Sequence, residues 1–69
     1  MKNENIFSTR LREARRKAGL SMKSFAEKIG VSDRAVWNYE NGLRYPTLPT
    51  ACRIAETLQV SLAWLAGIE

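Results

Sequence analysis

The apolar positions of this chain recur three or four residues apart, the spacing that places side chains on one face of an α-helix. In the first twenty residues they fall at Phe7, Leu11, Ala14 and Ala18, and Gly19 then marks the end of a helix. No stretch shows the strict alternation of apolar and polar residues that is typical of a β-strand. The pattern therefore predicts an all-α fold.

Four further helix starts are marked by a hydroxyl side chain that can cap the first backbone N–H groups. Three of these starts share one pattern, in which an apolar residue comes directly before a serine and a second apolar residue comes four positions after it. The serines are Ser21, Ser32 and Ser61, and the pattern is that of a hydrophobic staple. Thr47 marks the remaining start, because Pro49 in the next turn lacks only a donor that would be unpaired there. These starts predict helices over residues 22–29, 33–41, 48–58 and 62–66.

The fourth predicted helix carries an apolar stripe. We expect the side chains of this stripe to face the core: Leu48, Ala51, Ile54, Ala55 and Leu58. Cys52 lies at the edge of the stripe, and we interpret it as a packing residue rather than a redox sensor.

Residues 22–41 form the unit around which the rest of the chain is organised, with a helix, a tight turn and a second helix. Gly30 lies at the turn, where a residue without Cβ is favoured, and the small Ala26 allows the two helices to cross closely. The inward positions are Phe25, Ile29, Val31, Val36 and Tyr39. The opposite face of the second helix carries Asp33, Arg34, Trp37, Asn38 and Asn41. An exposed helix that carries Arg and Asn suits insertion into the major groove of DNA.

The basic charge is concentrated around this unit. The chain has 69 residues, which predicts a single domain over residues 1–69, and a net charge of +4 with a pI near 9.7. Residues 10–44 contain nine Lys and Arg against four Asp and Glu, whereas residues 45–69 contain one arginine against two glutamates. Such a distribution is typical of a phosphate-binding surface, although basic residues also keep small domains soluble.

Composition argues against several other classes of protein. With one cysteine and no histidine, we expect no internal disulfide, no metal or cofactor site and no catalytic centre, and therefore not an enzyme. We also expect no small-molecule ligand. The N-terminal segment MKNENIFSTR lacks the apolar core of a secretory signal, and its first five residues are expected to be frayed or to lead into the first helix. The longest apolar run, residues 62–68, is too short to span a membrane. Because no internal disulfide is possible, a reducing cytoplasm is the expected compartment, and DNA binding would make the protein nucleoid-associated.

Two segments, GLSMKSFAEKIGVSDRAVWNYENGLRYP and TACRIAETLQVSLAWLAG, resemble the phage Cro and lambda-type repressor family of helix-turn-helix domains. The resemblance covers residues 8–67. It rests on Ala26 and the turn residue Gly30, on the sequence YENG at residues 39–42, on Pro46 and on the closing VSLAWL. It implies a compact five-helix fold and a homodimer that binds a palindromic operator on double-stranded DNA and regulates transcription, most simply as a repressor.

The resemblance also assigns roles on the second helix of this unit. Asp33, Arg34 and Asn38 fall at the family's base-reading positions. Arginine can bind guanine O6 and N7, and asparagine can bind adenine N6 and N7. The alternatives for Arg34 and Asn38 are phosphate contact and ordinary surface exposure. For Asp33 we favour stabilisation of the helix start or positioning of Arg34 over reading of cytosine. Trp37 is expected to contact a thymine methyl group or the sugar backbone, unless it folds back over Lys28 or Asp33.

Phosphate contacts are predicted where helix starts expose backbone amides and where basic or amide side chains flank the unit. The residues concerned are Ser21, Lys23, Ser32, Asn41 and Arg44. Many relatives open the first helix of the unit with a glutamine that clamps a phosphate. Met22 occupies that position here, so this clamp is lost.

Two further sets of residues follow from the resemblance. Arg15 and Glu40 match a partly buried ion pair in related phage repressors, and the alternative is an exposed glutamate at the end of a helix.

The corner between the last two helices and the chain's end are expected to form an apolar patch that pairs two subunits. Its residues are Leu58, Val60, Trp64 and Ile68.

Other functions of the same fold remain open at this point. An antitoxin or a restriction-modification controller would carry the same sequence features. A protein-interaction module that uses Trp37 and Tyr45 is a separate class. Phosphate binding weakens steeply with salt, whereas binding through an aromatic patch does not, so salt dependence separates the two classes.

Overall fold

The computed structural model describes residues 5–69, in which five helices follow one another without a strand. They are α1 (Ile6–Lys17), α2 (Met22–Ile29), α3 (Asp33–Glu40), α4 (Leu48–Leu58) and α5 (Leu62–Ala66). The predicted all-α, five-helix fold is confirmed. The third helix ends one residue earlier than predicted, because Asn41 is its C-cap.

The predicted caps hold the starts of α2 to α5. The side-chain oxygens of Ser21, Ser32 and Ser61 accept hydrogen bonds from the backbone N–H groups three residues later, at 3.0, 3.1 and 3.1 Å. The Thr47 hydroxyl does the same at 3.4 Å. Each cap of this kind stabilises a helix by about 1 kcal/mol, which matters for helices as short as α5.

Helix α1 begins with a reciprocal cap. The Asn5 Oδ1 accepts a hydrogen bond from the backbone N–H of Ser8 at 2.8 Å, and the Ser8 hydroxyl accepts one from the backbone N–H of Asn5 at 2.9 Å. Asn5 therefore leads into α1, which is one of the two alternatives stated for the first five residues. The expectation for residues 1–4 lies outside the part of the chain that the structure describes.

All five helices contribute to one hydrophobic core. Its buried members are Phe7, Leu11, Ala14, Phe25, Ala26, Ile29, Val36, Tyr39, Ile54, Leu58 and Leu65. Helix α1 packs on α3 and α5, α2 packs on α3 and α4, and α4 packs on α5. Helix α3 is consequently held from behind by α1 and α2.

The rotation of α4 differs from the prediction at two residues. Leu48 is 69% exposed and the Cys52 thiol is exposed, so the expectations that Leu48 is buried and that Cys52 packs are wrong. The helix turns Ile54 into the core. Because each residue rotates the helix by about 100°, Leu48 and Cys52 point about 120° and about 160° away from that direction.

A buried ion pair joins α1 to α3, as the sequence predicts. The Arg15 Nε donates to Glu40 Oε2 at 2.5 Å, and Nη2 donates to Oε1 at 3.0 Å. The Nη1 of the same guanidinium donates to the Leu20 carbonyl at 2.8 Å. Glu40 is fully buried and Arg15 is 7% exposed, so the alternative of a solvated glutamate is wrong.

Replacing Arg15 by methionine is expected to lower the free energy of unfolding by about 3 kcal/mol, because the Glu40 carboxylate stays buried without its partner. Arg16→Met, at the exposed neighbouring position, is the matched control and is expected to change stability by less than about 0.5 kcal/mol. Urea unfolding followed by circular dichroism measures both variants. Adding Glu40→Leu to Arg15→Met should recover most of the lost free energy of unfolding, because the unpaired charge is then removed. If the single and the double variant are destabilised equally, the unpaired charge is not the cause.

Candidate nucleic-acid interface

The turn between α2 and α3 depends on a left-handed residue. Gly30 has φ +73° and ψ 34°, and its N–H bonds to the carbonyl of Ala26, which is itself 1% exposed. Residues with a Cβ are disfavoured in this conformation. The turn lets α3 cross closely over α2, as the small residue at position 26 predicts.

Arg53 supports the same turn from α4, and the sequence did not single it out. Its Nη1 donates to the Ile29 carbonyl at 3.2 Å, so it satisfies one of the acceptors at the end of α2. The only sequence signal was that Arg53 is the single basic residue between residues 45 and 69. The bond spans 24 positions, which no local pattern indicates.

The outward face of α3 presents most of the predicted base-reading residues. Asp33 and Arg34 are exposed, Trp37 is 42% exposed, and Asn38 is half-buried. The residues between them on the inward side are buried: Val36, Tyr39 and Glu40. The structure therefore brings the four candidates together on one accessible surface.

Asn41 is placed differently from the prediction. It is only 8% exposed, and its Nδ2 donates to the Trp37 carbonyl at 2.8 Å. The expectation that it shares the exposed face is wrong. The side chain adds a second hydrogen bond to a carbonyl that already accepts the backbone N–H of Asn41, so it reinforces the end of α3.

The Trp37 ring carries a cation above it. The Arg34 Cζ lies 5.4 Å from the ring centroid, within the range of a cation–π contact. The ring therefore packs with Arg34, a partner that the sequence did not predict. The two side chains are one helical turn apart on the same exposed face.

The remaining predicted phosphate contacts lie at accessible positions. Ser21, Lys23, Ser32 and Arg44 are all exposed, and the two serines cap the first turns of α2 and α3. Met22 is half-buried against the core, so it presents no polar group at the start of α2. Two helix N-termini with open amides can accept anionic groups through their backbone dipoles.

A helix-turn-helix family model matches residues 11–65 of the chain. The chain belongs to this helix-turn-helix family. The transcriptional regulator ImmR of Bacillus subtilis is 38% identical over 58 residues, which make up 84% of this chain and 46% of that protein. The chain thus spans about half the length of this curated relative.

Two solved structures share the arrangement of this helix-turn-helix domain. The restriction-modification controller protein C.AhdI of Aeromonas hydrophila has a TM-score of 0.80 and 32% identity, with 87% of this chain and 91% of that chain covered. The P22 c2 repressor, solved with a synthetic operator, has a TM-score of 0.88 at 21% identity, and the match covers 96% of this chain and 100% of that chain. The latter similarity establishes the fold only.

A second surface of the helix-turn-helix domain contains the residues predicted to pair two subunits. Val60 and Trp64 are half-buried and line an open groove of about 650 Å³ between α1 and the α4–α5 corner, and Ile68 is 82% exposed. Leu58 is only 9% exposed and belongs to the core, so the expectation that it forms part of an exposed patch is wrong. Arg10 lies over the Trp64 ring at 4.9 Å and donates to the Trp64 carbonyl.

Residues 5–69 contain no group of three or more His, Cys, Asp or Glu side chains placed to hold a metal ion. No helix in the same range is long and apolar enough to cross a bilayer.

Replacing Gly30 by alanine is expected to reduce the free energy of unfolding by about 1 kcal/mol, because alanine is strained at positive φ. The nearest atom to an added Cβ is Arg53 Nη1 at 3.5 Å, an ordinary contact, so backbone strain and not a clash is the cause. Gly30→Asn is the control, since asparagine tolerates the left-handed region, and it should lose less. Thermal unfolding measures both variants, and equal losses would point instead to a steric conflict with any side chain.

Proposed function

We propose that this chain is the DNA-binding part of a transcriptional regulator, with α3 as the helix that enters the major groove of double-stranded DNA. The observation that carries the proposal is the division of α3 into two faces. One face is locked against α1 and α2, and the other presents Arg34, Trp37 and Asn38 to solvent. Family membership and the regulators ImmR and C.AhdI support it. Such a regulator acts in the cytoplasm, at the nucleoid.

Base reading falls to the polar side chains of the open face. Arg34 is suited to a guanine edge, because a guanidinium can donate to O6 and N7 together, and Asn38 is suited to adenine N6 and N7. Asp33 lies in the first turn of α3, where a negative charge is stabilised by the helix dipole, so its role is support of the helix start. Trp37 lies where a thymine methyl group or a sugar would meet its exposed ring.

Phosphate binding falls to the residues around α3. The exposed amides at the starts of α2 and α3 lie beside Ser21 and Ser32, and Lys23 and Arg44 add positive charge nearby in sequence. The excess of nine basic over four acidic residues in the range 10–44 favours approach to a polyanion. The Asn41 side chain is committed to its cap, so a contact there is assigned to the backbone.

We further propose that two copies bind a palindromic site and act as a repressor. Val60, Trp64 and Ile68 offer accessible apolar surface away from the face of α3 that is assigned to bases. Pairing of two domains would place their α3 helices one DNA turn apart, about 34 Å. The patch is small, so we expect weak pairing in solution that DNA strengthens.

A restriction-modification controller is the second candidate, and its support is the 32% identity to C.AhdI over most of both chains. Both candidates bind DNA through the same face of α3. They differ in what the neighbouring genes encode, so the genomic position of the chain separates them. A module that binds a protein through Trp37 and Tyr45 is distinguished by affinity that changes little with salt.

Arg34→Ala and Asn38→Ala are each expected to weaken binding to the preferred site by about 1–3 kcal/mol and to relax preference at one position of each half-site. Selection of bound duplexes from random DNA gives that site and its half-site spacing. Lys23→Ala is the control. It should weaken binding to all sequences alike, and it should reduce the slope of the logarithm of the binding constant against the logarithm of salt concentration by about 1. If both α3 variants instead weaken binding equally on preferred and random DNA, the two residues contact phosphates.

Sedimentation of the 69-residue chain is expected to show two chains per duplex on a palindromic site and mainly single chains without DNA. Val60→Asp should weaken the second binding event, because a charge would be buried between the two domains, and should leave binding to an isolated half-site unchanged. One chain per duplex at saturation, with a footprint that lacks two-fold symmetry, would contradict the dimer.

A further inference from the structure

Trp37 is an unusual residue to leave in water. It is 42% exposed on an eight-residue helix whose inward face is already filled. Tryptophan rings gain stability mainly by packing against other groups, so the partner of an exposed ring matters. The partner in this structure is Arg34, whose Cζ lies 5.4 Å from the ring centroid.

The position of Arg34 on the helix explains why this partner matters. Arg34 lies in the first turn of α3, where the positive end of the helix dipole disfavours a cation. Asp33 lies beside it in sequence, yet within residues 5–69 the structure records no ion pair between them, and the contact of Arg34 is with the ring. The negative face of the indole offsets the unfavourable dipole and holds the guanidinium on the open face.

A cation–π contact also leaves the hydrogen-bonding capacity of the guanidinium unused. The ring interacts through its quadrupole and accepts none of the five N–H donors in a conventional hydrogen bond. Arg34 therefore keeps the two parallel donors that guanine O6 and N7 require. An unsupported arginine side chain would have to lose its rotamer freedom on binding, and this cost is lower for a side chain that is already held in place.

The second arginine–tryptophan pair of the chain shows the contrast. Arg10 lies over Trp64 at 4.9 Å, and it also donates to the backbone carbonyls of Trp64 and Glu69. Its Nη1 donates within the protein, so that pair joins α1 to α5 and to Glu69. The donors of Arg34 have no such partner among the described residues.

We infer that Trp37 is a positioning residue for Arg34, and that the two side chains act as one unit that reads guanine. The inference rests on the proposed function and deepens it, since it assigns Trp37 a role in guanine reading through Arg34. The contact becomes stronger as the groove excludes water, because cation–π attraction rises on desolvation. Removal of the ring is consequently expected to lower discrimination for guanine, even though the arginine remains.

The test replaces guanine by 7-deazaguanine, which lacks the N7 acceptor, at each guanine of the selected half-site in turn. At the guanine read by Arg34, the unmodified protein is expected to lose about fivefold in affinity, as removal of one of two parallel hydrogen bonds implies. In Trp37→Leu the same DNA change is expected to cost less than about twofold. Fluorescence anisotropy with labelled duplexes measures all affinities at one salt concentration.

Two further variants separate positioning from a general loss of contact. Trp37→Phe keeps a ring beneath the guanidinium and should retain most of the 7-deazaguanine penalty. Tyr45→Leu removes another exposed aromatic ring, 65% accessible and outside α3, and should leave the penalty unchanged. In a double-mutant cycle, Trp37→Leu should weaken binding less in the Arg34→Ala background than in the unmodified protein.

The outcomes are distinct. A full 7-deazaguanine penalty in Trp37→Leu would overturn the inference while leaving sequence-specific binding intact. The inference would also fail if the fold losses of affinity in Arg34→Ala and Trp37→Leu multiply in the double variant. Selection that returns no preferred duplex for the unmodified protein would refute the proposed function, and the inference with it. A smaller penalty in Trp37→Leu, partly restored in Trp37→Phe, would establish the unit.

Discussion

The buried contact between Arg15 and Glu40 is the interaction on which the rest of this structure depends. Helix α3 has eight residues, too few to be stable alone in water, so its position comes from what lies behind it. Apolar packing against α1 and α2 supplies attraction but little direction. The two parallel hydrogen bonds between guanidinium and carboxylate fix the end of α3 on α1, and the third bond, to the Leu20 carbonyl, ties in the link to α2. A buried charge is tolerated there because every polar atom has a partner.

Arginine has two different uses in this small domain. At Arg10, Arg15 and Arg53 the guanidinium donates to carbonyls or a carboxylate of another part of the chain, and each bond connects elements that are distant in sequence. At Arg34 and Arg44 the side chain is exposed, and in the proposed function the donors of Arg34 bind DNA. Under that proposal the same planar group connects elements within the protein and reads a base outside it. Which use applies depends on whether an acceptor lies within reach, and only the fold determines that.

The similarity to the P22 c2 repressor, at a TM-score of 0.88 and 21% identity, has a simple physical basis. The fold requires apolar residues at helical spacing, a capping side chain at each helix start and a left-handed residue at the turn, and many sequences meet these demands. The outward residues of α3 are not needed for the fold. They are therefore the positions at which members of one fold can differ in the DNA that they recognise.

The sequence by itself determined the helices, their caps, the turn at Gly30 and the buried face of α3, because these depend on residues within about four positions of one another. The Arg15–Glu40 pair was predicted through resemblance to a family, and not from local spacing. Tertiary structure alone decided the rotation of α4, which exposes Leu48 and Cys52, and the bond from Arg53 to Ile29 across 24 positions. It also decided the hydrogen bond from Arg10 to the Trp64 carbonyl, across 54 positions. A helical stripe indicates which side chains can share a face, but the direction of that face is set by the elements that pack against it.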